Sequence, residues 1–322
     1  MSYLHELTLR LAMGASQFDP TTRRAHGDWL VAQQRPDGGF AGREGDCDPY
    51  YTAFALRSLW ILDRLHEEVA KPAAEFLRLR MSHRDSIVDL MSLVFGAAIL
   101  ELAAGEIVIS DDDSSWRHNI AGLLATMRCS DGGFAKTPEG RAGSTYQTFL
   151  SVLCHELIEI PVPDVDAVVG FIDSQRQVDG GYREIRVAKR AGVNPTAAAI
   201  GTLKTLGRLD PSDHGDTVEF ISEMQTDTGG LTANTRIPFA DLLSTCTGLI
   251  TLVDLAATDA VSLPKIKHYA TSMQQTPASD LATHGKSTSG GFVGFELDET
   301  ADVEYTFYGL ATLSLTSWVQ TA

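Results

Sequence analysis

The sequence predicts an all-α fold in which six helical hairpins close into a barrel of two concentric helix rings, and three observations carry that expectation. Double glycines recur at Gly38-Gly39, Gly132-Gly133, Gly180-Gly181, Gly229-Gly230 and Gly290-Gly291, most of them followed by an aromatic residue. A residue able to cap a helix N-terminus follows each pair after a short loop, at Asp48, Ser144, Asn194, Asp241 and Asp302. A small residue stands seven positions beyond each cap, at Ala55, Ser151, Gly201, Gly248 and Gly309.

Between the first two copies lies about twice the usual period, and there Asp89 and Gly96 keep the same spacing without the glycines. This makes a sixth, degenerate unit near residues 72–105. The runs after the caps, such as YYTAFALRSLWIL and LLSTCTGLITLVDL, are apolar around most of their circumference and are read as buried inner helices. Asp48 and Asn194 each precede a proline at the first helical position, the usual entry signal. An amphipathic outer helix is expected before each glycine turn, over 22–34, 72–81, 115–128, 165–176, 213–225 and 264–275. Helical hairpins repeated at this spacing mean a solenoid or a ring, and only a closed ring buries inner helices that are apolar all round. The glycine pair is read as the left-handed end of the outer helix. Residues 1–322 are read as one domain, with 1–20 an N-terminal helix and lead-in and the repeats running from about 22 to 322.

Composition narrows the function classes. With 26 Lys and Arg against 42 Asp and Glu the net charge is −16, which argues against nucleic acid as a partner. Cys47, Cys129, Cys154 and Cys246 are scattered, so neither a disulfide framework nor a cysteine zinc cluster is expected, and a cytoplasmic location fits. The apolar run Leu90 to Leu100 is short for a bilayer, so no membrane span is expected.

If all six inner helices start at one end of the ring, their positive ends converge on one mouth. Arg141, Lys189, Arg190 and Arg236 lie in the loops before the caps, and with Asn194 they are the expected holders of an anionic head group. Tyr50, Tyr51, Tyr146, Phe149, Tyr305 and Phe307 lie near the caps and are expected to line an aromatic well below. Such a site suits an amphiphile with an anionic head and a hydrocarbon tail, and aromatic faces also suit a carbocation.

The repeated QxxDGGF block and capped apolar helix resemble the α/α-toroid superfamily of protein prenyltransferase β subunits and squalene/hopene-type terpene cyclases, over nearly the whole chain from about residue 22. The resemblance implies an enzyme of prenyltransferase or terpene cyclase type with an isoprenoid diphosphate or terpenoid in the central cavity and Mg2+ admissible beside a diphosphate; the alternative is a non-catalytic toroid that binds lipid or serves as the β-like partner of an α-subunit-like protein. The β subunits hold zinc through an Asp, a Cys two residues on, and a His. The corresponding positions here are Asp241, Leu243 and Tyr305, so two of the three ligands are lost and zinc is not expected. The diphosphate-binding positions of the family correspond to Asn194, Ser144 and, approximately, Arg236. In the cyclases the central Asp of a DxDD motif donates a proton, and the nearest match is Asp46-Cys47-Asp48-Pro49. Asp46, Asp48 and Asp241 are therefore the acid/base candidates, with protonation-initiated cyclisation through Asp46 a further alternative.

Overall fold

The computed structural model describes residues 2–81, 86–109, 115–275 and 290–320, and within them the chain forms thirteen α-helices, two short 3-10 turns and isolated bridges. Six are inner helices: α3 (Pro49–Ile61), α5 (Ile87–Ala104), α7 (Thr145–Leu157), α9 (Val193–Thr205), α11 (Leu242–Asp254) and α13 (Val303–Val319). Each packs on the next, and α13 packs on α3, so the ring closes. Six are outer: α2 (Pro20–Gln33), α4 (Glu67–Arg80), α6 (Trp116–Thr126), α8 (Val165–Gln175), α10 (Gly215–Glu223) and α12 (Leu263–Ser272). The expected (α/α)6 toroid is the observed architecture.

Several local expectations change. Asn194 does not cap α9; the cap is Gly192, and Asn194 sits inside the first turn ahead of Pro195. The cap of α5 is Ser86, whose hydroxyl accepts from the Asp89 amide and donates to the Asp89 carboxylate. Helix α4 begins five residues before Pro72 and carries that proline inside it. Helix α5 runs for 18 residues, longer than the apolar stretch the sequence suggested, and is long and apolar enough to cross a bilayer by length and composition. Here it packs between α3 and α7, with most of its surface buried in the ring.

The glycine pairs do not end the outer helices. Helix α2 stops in extended backbone at Gln34, and Gly38 follows in a tight turn closed by bonds from Gly38 N to Arg35 O and from Arg35 N to Gly39 O. Gly38 is left-handed, at φ 87°, and Gly132, Gly180 and Gly229 repeat that turn. The second glycine has a different task. A Cβ there would lie 2.6–2.8 Å from an aromatic ring of an outer helix: Phe76 for Gly39, Phe171 for Gly133, Phe220 for Gly181, Tyr269 for Gly230 and Trp29 for Gly291. Each turn therefore grips the outer helix one place further round, and the last returns to α2, which closes the outer ring.

A threonine four residues past each of five caps ties turn to helix. Thr52, Thr148, Thr196, Thr245 and Thr306 each accept from the amide of the residue after the glycine pair at 2.9–3.0 Å, and the first four also donate to the cap carbonyl at 2.7 Å. All five are fully buried, so the valine isostere would leave the turn amide without an acceptor, while the cap carbonyl keeps its helical amide. Thr245→Val should lower stability by about 1–3 kcal/mol in urea unfolding, while Thr247→Val, half-exposed one turn face away, should cost less.

Candidate functional site

The inner ring encloses a cavity of about 410 Å³, within the range of small-molecule sites, and all six inner helices contribute to its wall. Helix α1 (Tyr3–Ala15) forms its floor through Tyr3, Leu4 and Leu7. It lies across the C-terminal ends of α7, α9 and α11. There the Tyr3 amide donates to Glu156 at 2.9 Å, the Tyr3 hydroxyl donates to Asp254 at 2.8 Å, and Lys204 donates to Asp254 at 2.5 Å. Further along, Gly14 allows the backbones of α1 and α13 to touch, because a Cβ there would meet the Ser314 carbonyl oxygen at 1.9 Å.

The wall is mainly apolar and aromatic. Phe54, Phe95, Phe149 and Phe307 line it with Leu150 and Ile250, and Tyr50, Tyr146 and Tyr308 add hydroxyls. Edge-to-face contacts fix these rings: Tyr50 to Phe54 at 4.9 Å, Phe54 to Tyr308 at 5.4 Å, and Tyr3 to Phe149 at 6.1 Å.

At the upper end the expected positive pit is largely neutralised, for a local reason. Three of the six residues that cap the inner helices are carboxylates. Asp48, Asp241 and Asp302 accept from the first-turn amides of α3, α11 and α13, and Asp89 sits in the first turn of α5. Helix dipoles met by carboxylates attract no further anion. Burial raises the pKa of all three cap aspartates above the ordinary carboxylate value, against the bonds from their helix amides. Two more carboxylates line the cavity. Glu304 accepts from the Tyr50 hydroxyl at 2.7 Å, and Glu184 is bonded to Ser144; burial pushes both pKa values up.

The structure separates the sequence-derived candidates. Tyr50, Tyr146, Phe149, Phe307, Asn194 and Leu243 line the cavity, and Asn194 accepts from the Thr247 hydroxyl at 2.7 Å. Arg141, Lys189, Arg190 and Arg236 are exposed in the loops and do not line it. Tyr51 and Tyr305 also lie outside the lining, packed on Gly42 and Gly294. Arg43, in the first of these loops, is engaged by Asp298 and Asp302. Asp46 is exposed on its loop, without the burial that a proton-donating carboxyl requires. Asp48 and Asp241 are occupied as caps.

The zinc positions do not fit that ion. Leu243 offers no donor, Tyr305 packs beneath the Arg43 guanidinium, and the Cys246 thiol one turn deeper is buried with its pKa pushed up to about 12, which keeps it protonated. Among the described residues no cluster of three His, Cys, Asp or Glu side chains is placed to hold a metal.

Sequence reasoning missed Arg57, among the described residues the one cationic side chain that lines the cavity. Arg57 projects from the middle of α3 and stacks over three rings, its Cζ 3.8 Å from the Phe307 centroid, 5.2 Å from Phe95 and 5.5 Å from Phe54. A charge inside the otherwise apolar run YYTAFALRSLWIL was the available signal.

A closed (α/α)6 ring around an aromatic chamber defines a toroid protein with an interior ligand site. The chain belongs to the prenyltransferase alpha-alpha toroid family, whose domain model matches residues 3–321. Among solved structures it is similar to Candida albicans protein geranylgeranyltransferase-I complexed with GGPP, at 16% identity and TM-score 0.69 over 91% of this chain and 90% of that one. It is also similar to the type II terpene cyclase MstE from Scytonema in complex with geranylgeranyl dihydroxybenzoate, at 13% identity and TM-score 0.60 over 97% and 99%. A third is an unsaturated glucuronyl hydrolase specific for heparin, at 11% identity and TM-score 0.63 over 97% and 98%. At these identities the likeness is one of fold. No curated protein sequence matches the chain.

Proposed function

We propose that the protein binds an isoprenoid amphiphile with its hydrocarbon chain in the central cavity and acts on it as a zinc-independent enzyme of prenyltransferase or terpene cyclase type. The observation that carries this reading is the cavity itself: all six inner helices line it, five of them with phenylalanine, tyrosine or leucine side chains and α9 with alanines and Asn194, and α1 closes it below. A flexible apolar chain gains by leaving water for such a wall, whereas a sugar or nucleotide would strand its polar groups there. The two geranylgeranyl-bound neighbours support an isoprenoid over other apolar ligands. The heparin-specific neighbour has the same fold, so fold alone does not choose the substrate. A prenyl diphosphate is the ligand to test first; of the residues expected to hold its head, Asn194 lies at the cavity wall, and Arg236, Arg141, Lys189 and Arg190 are exposed outside it.

The alternative role, a non-catalytic partner subunit, calls for an apolar outer face. Among the described residues the outer helices expose one large hydrophobic side chain, Leu79 on α4, which does not make such a patch.

Geranyl, farnesyl and geranylgeranyl diphosphates should raise the melting temperature of the purified protein in a chain-length-dependent order. Phe149→Arg, which places a charge in the chain's path, should abolish that rise. A shift of equal size in the variant would place the ligand outside the ring. Product analysis of the same mixtures separates turnover from binding.

A further inference from the structure

We infer that Arg57 is the counter-ion of an anionic oxygen group, a carboxylate or a phosphoester, carried by the cavity ligand and seated inside the ring rather than at its upper rim. This rests on the isoprenoid reading and narrows it to isoprenoids that carry an acid.

Three observations lead there. First, Arg57 lines the cavity, yet among the described residues it makes no hydrogen bond and no ion pair, and its Nε is fully buried without a partner. Buried guanidinium groups are costly unless paired, and a charge that stays unpaired in the folded protein marks a place where a partner arrives. Second, the charged state is held in place. The faces of Phe307, Phe95 and Phe54 surround the guanidinium and return part of the lost hydration, so the group is oriented as well as buried. Burial lowers its pKa, but guanidinium remains protonated at any physiological pH. Tyr308, Cys246, Tyr146 and Tyr50 are its titratable neighbours, and burial raises the pKa of each, so they stay neutral and supply no counter-charge.

Third, the rim offers an anion less. Glu304 and Glu184 face the cavity there, and Asp48, Asp241 and Asp302 already occupy the helix ends. An acidic ligand group placed at that level meets like charge, and one placed at Arg57 meets the cavity's cation. The planar fork of the guanidinium donates side by side to two oxygens of a carboxylate or phosphate. The same cation also occupies the ring faces of Phe54, Phe95 and Phe307, which are thereby poorly suited to a carbocation.

The test uses the full-length protein and three ligands of one chain length: geranylgeraniol, geranylgeranoic acid and geranylgeranyl diphosphate. Affinity and melting temperature are measured for the wild type, Arg57→Met and Arg57→Lys. At least one of the two anionic ligands should bind at least about 10-fold more tightly than the alcohol, a preference that Arg57→Met removes and Arg57→Lys partly keeps. Whichever of the acid and the diphosphate shows the preference identifies the head group. Without ligand, Arg57→Met should melt at or above the wild-type temperature, because it deletes an unpaired buried charge. Equal binding of the alcohol and both anions to the wild type, or an anion preference that survives in Arg57→Met, overturns the assignment and leaves the isoprenoid site standing. Failure of all three to bind, the alcohol included, overturns both.

Discussion

Replacing Asp254 with alanine is expected to cost about 3–5 kcal/mol and to loosen α1 from the lower end of the ring. The Asp254 carboxylate is buried at the end of α11, where it receives the Tyr3 hydroxyl from α1 and the Lys204 ammonium from α9, with Arg10 of α1 at 3.6 Å. Burial, and then the neighbouring Asp254, hold the Tyr3 pKa well above its ordinary value, so this phenol stays a donor. Removing the carboxylate orphans a partly buried ammonium and a buried hydroxyl together. Urea unfolding reads the cost, and hydrogen exchange over 3–15 reads the loosening of the floor. Adding Lys204→Met should recover part of the loss, since it removes the stranded charge. An exchange pattern in α1 unchanged by Asp254→Ala would show that Gly14 packing against Ser314 suffices to hold the floor.

Acidification should cost about 3 kcal/mol through one histidine at the seam where the outer ring closes. His26 of α2 stacks on Phe292 at 4.7 Å and accepts the Gly291 amide on Nδ1 at 3.1 Å. Burial depresses its pKa from 6.5 to about 4, against a bond with Gln274 that raises it. The folded value lies below the unfolded one, so this stability is fully present above about pH 6.5 and is lost as the pH falls towards 4. A protonated Nδ1 could not accept from Gly291, and the last turn would lose its hold on α2. Unfolding free energies across that range should fall more steeply for the wild type than for His26→Gln. Parallel curves would assign the acid sensitivity to other groups.

The repeat was legible because it is written in local chemistry. A left-handed turn needs glycine, a helix start needs a cap, and a helix buried on all sides needs an apolar circumference. Errors arose where two residues competed for one local role. Asn194 before Pro195 looks like a cap, but the Thr196 hydroxyl, held between the Gly192 carbonyl and the Tyr182 amide, fixes the start two residues earlier. The five threonines four past the caps were visible in the sequence, and their meaning depends on an amide 12 to 14 residues upstream that only the folded hairpin brings near.

What the sequence by itself determined is the periodic part: six hairpins, the chemistry of their turns and caps, and inner helices apolar enough to require a closed ring. Only the tertiary structure decided the site. Whether a loop arginine such as Arg236 faces the cavity or the solvent, or a mid-helix arginine such as Arg57 points to the axis, depends on how each helix is rotated against its neighbours. That rotation is set by contacts between units far apart in the chain, such as Phe307 of α13 under the Arg57 guanidinium of α3, and no local spacing encodes it.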